Sequence, residues 1–252
     1  MSAQKLLFSP AIAGLLSLVV IGAILQVMIN VGWIPPLIVA RPTAALGAFP
    51  ELFREMDLFG AFLATLGTTA AATAIALAVG IPFGYLLFRN QTLGVAYEGW
   101  LAAAFSAPLV LLYPLFLVLF GRTYMTLIIM GCIPGCIPII IQTRQGLLGV
   151  SQTLINVGKT FSMSEQSMFW KIMLPAAVPS IFMGIKIGVM YTLVNIVAIE
   201  YLVDFGGLGR VVSEMYFRFE IPATYASILA VICVSVLFYW GFGRIERWLR
   251  PA

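Results

Sequence analysis

The tripeptide Gly158-Lys159-Thr160 is the part of this sequence that comes nearest to a motif with known chemistry. It matches the end of the phosphate-binding pattern G-x-x-x-x-G-K-[ST], in which backbone N–H groups and a lysine hold nucleotide phosphates. Thr153 stands where that pattern has its first glycine, and no buried strand precedes the loop. We therefore expect no nucleotide to bind to this chain.

Other residue types that support catalysis or metal binding are scarce. The sequence contains no histidine, the side chain that most often serves as a general base or metal ligand near neutral pH. Cys132, Cys136 and Cys233 lie in apolar runs and are interpreted as small buried hydrophobic residues. An enzyme would need a nucleophile with a base, or a metal cluster. The sequence therefore predicts no catalytic residue, no metal site and no cofactor held by this chain.

The composition is that of a membrane protein. Of the 252 residues, 62% are hydrophobic and 10% are charged, whereas soluble domains are roughly 45–50% apolar and about 25% charged. A spanning helix takes about 20 apolar residues, so the chain has room for about five to seven spans and for no large aqueous domain. The net charge is only +4 and no basic stripe is present, which excludes a nucleic-acid partner.

The apolar runs predict an all-α membrane protein, a single domain over residues 1–252 with about six transmembrane helices. The run from Trp100 to Ile141 is about twice as long as a helix that crosses a hydrocarbon core of roughly 30 Å, so the chain must turn near Gly121-Arg122. Pro108 and Pro114 should break or kink the third span. The six predicted spans are approximately residues 10–33, 58–88, 100–121, 122–141, 174–202 and 226–242.

Polar segments separate these spans. Residues 34–57 and 204–225 are predicted as outer loops, the first with a short helix near Pro50 to Met56, and residues 89–98 as a short link. Six spans place both termini on one side, and the Lys and Arg distribution predicts that this side is the cytoplasm. Eight basic residues lie on the terminal side and five on the other: Lys5, Arg89, Arg144, Lys159, Lys171, Arg244, Arg247 and Arg250 against Arg41, Arg54, Arg122, Arg210 and Arg218.

Residues 142–173 form the longest polar stretch, and part of it is amphipathic. Ser162-x-x-Glu165 has the form of a capping box at a helix start. An apolar face here needs either a protein partner or the lipid headgroups. The apolar residues at helical spacing are Leu154, Val157, Phe161, Met168 and Ile172.

The end of this stretch resembles the permease subunits of bacterial binding-protein-dependent ABC importers, and within them the nitrate, sulfonate and taurine group. The resemblance is carried by Ile172-Met173-Leu174-Pro175 and by Gly184-Ile185-Lys186-Ile187-Gly188. It continues through Ala198-Ile199-Glu200-Tyr201-Leu202 and Gly207-Leu208-Gly209. Upstream it includes Pro42-Thr43-Ala44 and the third-span residues Ala107-Pro108-Leu109-Val110. The resemblance implies a type I ABC importer permease fold in the bacterial cytoplasmic (inner) membrane.

The family's loop signature begins E-A-A-x-x-x-G, and this sequence has Asn156-Val157-Gly158 at the E-A-A and Ser162 at the glycine. Ser162 is expected to end one short helix and to N-cap the next. The resemblance implies that residues 142–173 hold the coupling helix, which docks into a groove of an ATP-hydrolysing subunit. The residues expected to take part are Asn156, Val157, Gly158, Phe161, Ser162, Ser164, Glu165, Leu174 and Pro175.

Polar residues inside the spans are candidates for the solute pathway or its gate. An intramembrane charge is by default a functional hypothesis, but Lys186 can also snorkel to the interface and Glu200 can be an ordinary interfacial carboxylate. The uncharged candidates can also serve helix packing. The candidates are Ser106, Tyr113, Lys186, Tyr191, Thr192, Asn195 and Glu200.

The expected function is that of a pore-forming importer subunit that moves a small solute by alternating access, itself not an enzyme. The resemblance implies a second copy of the permease, two ATPase subunits that bind ATP and Mg²⁺, and a periplasmic or lipid-anchored binding protein. Suggested solutes are sulfonates, nitrate or similar small organic anions, and vitamin precursors. The alternative is a stand-alone secondary transporter, which should show inverted repeats and midplane carboxylates.

Overall fold

The structure is a computed structural model, and it describes residues 10–249. Within that range it contains twelve α-helices, one 3₁₀ segment (Leu109–Leu112), one π-helical segment (Phe169–Met173) and no β-strand. The helices are α1 (Pro10–Asn30), α2 (Pro42–Gly47), α3 (Phe49–Glu55), α4 (Leu58–Arg89), α5 (Gln91–Ser106), α6 (Tyr113–Phe120), α7 (Tyr124–Leu148), α8 (Gln152–Thr160), α9 (Glu165–Met168), α10 (Leu174–Val203), α11 (Leu208–Phe217) and α12 (Ile221–Leu249).

Among the described residues, five helical segments are long and apolar enough to cross a membrane, and a bent pair makes a sixth. The bent pair is α5 with the segment Leu109–Phe120, at 83° to each other. Proline lacks an N–H and disfavours helical backbone in the residue before it, and Ala107 is accordingly extended at ψ 139° before Pro108. The predicted all-α fold with about six spans is confirmed.

The links between spans differ from the prediction in their extent. The predicted link at residues 89–98 is reduced to Asn90, whose side chain accepts the Leu93 N–H at 3.1 Å and N-caps α5. Residues 142–148, predicted as the start of the polar loop, belong to α7. The predicted short helix of the first outer loop is α3, and α2 precedes it. The Asn90 cap explains the first of these differences, and Pro42 at its start explains the additional helix α2.

The described chain forms two compact units, residues 10–59 with 211–230 and residues 60–210 with 231–249. In the first unit, Gln26 accepts hydrogen bonds from the Thr43 N–H and hydroxyl, both at 3.3 Å. Tyr225 donates to the Ile38 carbonyl, also at 3.3 Å. A single permease domain over the whole chain stays a prediction.

The second unit is organised around the crossing of α7 and α10. Small residues let the two backbones approach closely: a Cβ at Gly188 would lie 2.6 Å from the Gly135 carbonyl oxygen, and one at Gly135 would overlap the Thr192 hydroxyl. On the other side of α7, a Cβ at Gly84 would lie 2.7 Å from the Ile140 carbonyl oxygen. Gly84, Gly135 and Gly188 therefore serve helix packing within the chain.

Candidate functional sites

The segment between α7 and α10 contains two short capped helices. Ser151 accepts the Thr153 N–H at 3.3 Å and caps α8, and Ser164 accepts the Ser167 N–H at 3.3 Å and caps α9. The predicted capping box at Ser162 and Glu165 is therefore wrong, because the cap lies two residues further on. The tripeptide from Gly158 to Thr160 forms the end of α8, so it is helical and is not a phosphate-binding loop.

Ser162 lies in the left-handed region, with φ 52°, directly after α8 has ended. Its N–H donates to the Lys159 carbonyl at 2.9 Å, and the Met163 N–H donates to the Gly158 carbonyl at 3.1 Å. This conformation suits glycine and costs other residues about 1–2 kcal/mol. Residue 162 therefore has a backbone conformation that favours glycine, which is the residue that the E-A-A-x-x-x-G signature has at this position. This chain has serine there instead.

Ser162→Gly is expected to stabilise the protein by about 0.5–1 kcal/mol, because it relieves the left-handed strain at some cost in unfolded-chain entropy. Thermal unfolding in detergent measures this as a rise of about 2 °C for a chain of this size. Ser162→Ala is the matched control, since it removes the hydroxyl and keeps the strain. An equal rise for the alanine variant would show that the backbone is not the cause.

Four apolar side chains of this segment are exposed, and we call them the coupling surface: Leu154, Val157, Phe161 and Trp170. Phe161 and Trp170 are 76% and 61% exposed. Met168 and Ile172, predicted on the same face, instead pack beneath α8, where a Cβ at Gly158 would lie 2.9 Å from the Ile172 side chain. Trp170 was not predicted, because it lies two residues from both Met168 and Ile172 and so outside the α-helical spacing. The segment Phe169–Met173 is π-helical and does not keep that spacing.

The remaining predicted coupling residues lie on α8, on α9 and in the first turn of α10. Asn156 accepts the Gln152 amide N–H at 3.1 Å on the exposed side of α8, and Glu165 begins α9. Leu174 is half-buried and Pro175 is exposed in the first turn of α10, where a missing N–H costs nothing. Helical backbone continues from Glu165 to Val203. α9 and the π-helical segment are therefore joined to α10 without a loop, whereas residues 161–164 separate them from α8.

A pocket of about 350 Å³ lies at the break between α5 and the segment Leu109–Leu112, and we call it the break pocket. It brings together three of the predicted pathway residues, Ser106, Tyr191 and Asn195. The Phe105 and Tyr191 rings pack at 4.6 Å between centroids on its wall. The break in the span therefore creates the cavity that its candidate residues line.

Four other pathway candidates do not line this pocket. Tyr113 packs against the buried cluster of Leu127, Met130 and Ile199. Thr192 is fully buried at the α7–α10 crossing. Lys186 and Glu200 also lie elsewhere, and each has its own partners.

Glu200 is 0% exposed and holds the first turn of α11. Its carboxylate accepts the Gly209 N–H at 3.0 Å and the Thr65 hydroxyl at 2.8 Å. Thr65 in turn accepts the Leu208 N–H at 2.8 Å. Gly207 is required between these groups, because a Cβ there would overlap the Thr65 hydroxyl. Glu200 is thus a capping carboxylate at a helix N-terminus, where negative charge is favourable, and it joins α4, α10 and α11.

Glu200→Ala is expected to destabilise the protein by several kcal/mol, because it leaves the Gly209 N–H and the Thr65 hydroxyl buried without an acceptor, at about 1–3 kcal/mol each. Glu200→Gln keeps one acceptor oxygen and should cost less. Thermal unfolding in detergent compares the two variants, and uptake at wild-type rate and affinity by Glu200→Gln would show that the charge has no part in transport. An unchanged unfolding temperature for Glu200→Ala would contradict the capping role.

Lys186 forms an ion pair with Glu246 of α12, with Nζ 3.1 Å from Oε2. The two side chains are only 12% and 13% exposed, and the Lys186 ammonium lies 4.5 Å from the centre of the Tyr239 ring. Lys186 therefore lies outside the lining of the break pocket, and Glu246 neutralises its charge. Glu246 was not predicted as the partner, because the sixth span was predicted to end at residue 242, whereas α12 extends to Leu249.

These features define a class: a multi-pass α-helical membrane protein with exposed apolar side chains on the segment between two of its spans. Within that class the chain belongs to the family described as "Binding-protein-dependent transport system inner membrane component", whose sequence profile matches residues 76–251. The chain is therefore the membrane permease component of an ABC importer, a transport subunit and not an enzyme. Neither this family nor the relatives and solved structures described below support the alternative of a stand-alone secondary transporter.

Curated relatives carry permease names. The chain is 24% identical to the formylaminopyrimidine transport permease protein ThiX of Halalkalibacterium halodurans, over 89% of this chain and 92% of that protein. It is 29% identical to the bicarbonate transport system permease protein CmpB of Synechocystis, over 78% and 71%. It is 24% identical to the putative aliphatic sulfonates transport permease protein SsuC of Bacillus subtilis, over 89% and 81%.

Solved structures share the fold. An inward-facing form of the MetNI methionine ABC transporter matches with a TM-score of 0.66 and 21% identity, over 78% of this chain and 98% of that chain. An amino acid ABC transporter matches with a TM-score of 0.64 and 17% identity, over 79% and 97%. The predicted type I importer permease fold is therefore confirmed.

Proposed function

We propose that this chain forms the solute pathway of an ATP-driven importer in the bacterial inner membrane, with both termini in the cytoplasm. The observation that carries the proposal is the coupling surface: apolar side chains exposed on a polar segment whose last part, from Glu165 onward, continues as helix into α10. Large exposed apolar side chains of this kind mark sites of protein interaction. The partner ATPase binds ATP and Mg²⁺, and this chain holds no cofactor.

The connection between the coupling surface and the pathway gives a mechanism. Helix α10 supplies Tyr191 and Asn195 to the break pocket, and about 17 residues, or roughly 26 Å of helix, separate Leu174 from Tyr191. Closure of the ATPase subunits would displace the segment from Glu165 onward and α10 with it. Because no loop intervenes, that displacement would change access to the pocket, as alternating access requires.

The family description supports a proposal for further partners. We infer a homodimer of permeases, two ATPase subunits at the two coupling surfaces, and a periplasmic or lipid-anchored binding protein at the outer loops. The basic residues on the coupling-loop side of the chain support a cytoplasmic location for that side. The solute is small, since the relatives are named for formylaminopyrimidine, bicarbonate and aliphatic sulfonates.

Co-expression with the ATPase and binding protein encoded beside this gene tests the assembly. We expect the affinity-tagged permease to co-purify with the ATPase in a complex of two permease and two ATPase subunits, and vanadate with ATP to trap it. Phe161→Asp is expected to lose the ATPase during purification and still to be recovered from the membrane fraction. A permease that purifies as a stable monomer, and transports in that form, would overturn the proposal.

A further inference from the structure

We propose that the break pocket is built for a small uncharged polar solute, such as a neutral heterocycle, and excludes small anions. The inference rests on the proposed function, because it treats the pocket as part of the solute pathway. It narrows the range of solutes, since the names of the relatives include both anions and an aminopyrimidine. The chemistry of the pocket wall carries it.

Among the residues that the structure describes, none that lines the break pocket has a charged side chain. Its side-chain polar groups are the hydroxyls of Ser106 and Tyr191 and the carboxamide of Asn195, set among apolar and aromatic side chains. An anion that leaves water for such a cavity loses several kcal/mol of hydration, which only a cation or several N–H donors would restore. Lys186, on the same helix as Tyr191 and Asn195, does not line the pocket, and its charge is neutralised by the ion pair with Glu246.

Two of the backbone N–H groups at the break are already used within the chain. The Ala107 N–H donates to the Ala103 carbonyl at 3.1 Å, and the Leu109 N–H donates to the Ala107 carbonyl at 2.8 Å. Pro108, between them, has no N–H. Three successive positions beside the pocket are therefore unable to form the nest of N–H groups that binds anions in other proteins.

Two helix ends meet at the pocket. Helix α5 ends at Ser106 with its carbonyl groups, and the segment Leu109–Phe120 begins there with its N–H groups. The partial negative charge of the first end and the partial positive charge of the second offset each other. The lack of charged side chains therefore carries the inference.

The groups that remain suit a neutral solute with both donors and acceptors. Asn195 uses one amide N–H on the Tyr191 carbonyl at 2.9 Å, which leaves the amide oxygen and a second N–H for a solute. Ser106 donates to the Ala102 carbonyl at 3.0 Å and keeps its acceptor lone pairs. A volume of about 350 Å³ is enough for a single small ring.

Cysteine accessibility tests the inference without knowledge of the solute. In a background with Cys132, Cys136 and Cys233 replaced by alanine, Asn195→Cys is treated in native membranes with two reagents of similar size. One is uncharged 2-hydroxyethyl methanethiosulfonate, and the other is anionic 2-sulfonatoethyl methanethiosulfonate. Each forms a mixed disulfide with the thiolate and releases methanesulfinate, and comparing both reagents at one cysteine cancels its thiolate fraction. Phe161→Cys, on the exposed coupling surface, is the matched reference.

We expect the neutral-to-anionic rate ratio at position 195 to exceed that at position 161 by about ten-fold, the equivalent of about 1.4 kcal/mol. Ser106→Cys should show the same preference, and it replaces Asn195→Cys if that variant fails to insert. An equal ratio, a preference for the anion, or no reaction with the neutral reagent would overturn the inference. The assay needs no transport, so loss of ATP-driven uptake would refute the proposed function separately.

Discussion

Phe161→Asp is expected to abolish ATP-driven uptake while leaving the chain folded in the membrane. Phe161 is 76% exposed at the end of α8, so a carboxylate there stays hydrated in the isolated permease. In a complex the same carboxylate would enter an apolar groove of the ATPase and lose several kcal/mol of hydration. Since about 1.4 kcal/mol is a factor of ten in affinity, binding should fall by at least about a hundred-fold.

Uptake by membrane vesicles and co-purification of the ATPase measure the two parts of this prediction. Phe161→Leu is the control, because it keeps an apolar side chain at the same exposed position and should retain most activity. If Phe161→Asp transports at the wild-type rate and keeps its ATPase, Phe161 is outside the docking contact. A lipid-facing role would instead weaken membrane attachment of α8 without releasing the ATPase.

Lys186→Met is expected to destabilise the permease by about 3–5 kcal/mol, because it leaves Glu246 buried without its cation. The loss should appear as a lower unfolding temperature in detergent and as reduced uptake. The double variant Lys186→Met/Glu246→Gln removes both charges, and replacing a buried pair by neutral groups is often nearly neutral for stability. We therefore expect the double variant to recover most of the stability and most of the transport.

The double variant separates packing from a direct role in the pathway. If Lys186 contacts the solute, uptake by the double variant stays low even though its stability returns. If removing Glu246 does not rescue Lys186→Met at all, the ion pair between α10 and α12 is not what makes the lysine necessary. The double variant thus distinguishes the ion pair seen in the structure from the gate role that the sequence predicted for Lys186.

The spans and their break were predictable because they depend on local sequence. Apolar run lengths fix where helices cross, and Pro108 fixes where the third span breaks. The capping of α9 was misplaced by two residues because Ser162 and Ser164 both fit an N-cap. The left-handed backbone at Ser162, with φ 52°, is what excludes it from that role.

The partners of buried charges could not be predicted, because they come from distant parts of the chain. Glu200 is 135 residues from Thr65, and Lys186 is 60 residues from Glu246. Which pathway candidates share a cavity depends equally on helix packing. The sequence offered Ser106, Tyr191 and Asn195 together with Tyr113, and only the three-dimensional arrangement separates Tyr113 from the others.

The most direct test of the central claim is solute uptake by proteoliposomes that contain this permease, its ATPase and its binding protein, with each component omitted in turn. We expect uptake only when all three proteins are present and ATP is supplied. ATP must be on the side of the membrane that the coupling surface faces, and the binding protein on the opposite side. Omitting the ATPase should reduce uptake to the level of empty liposomes. Uptake by the permease alone, driven by an ion gradient, would contradict the account.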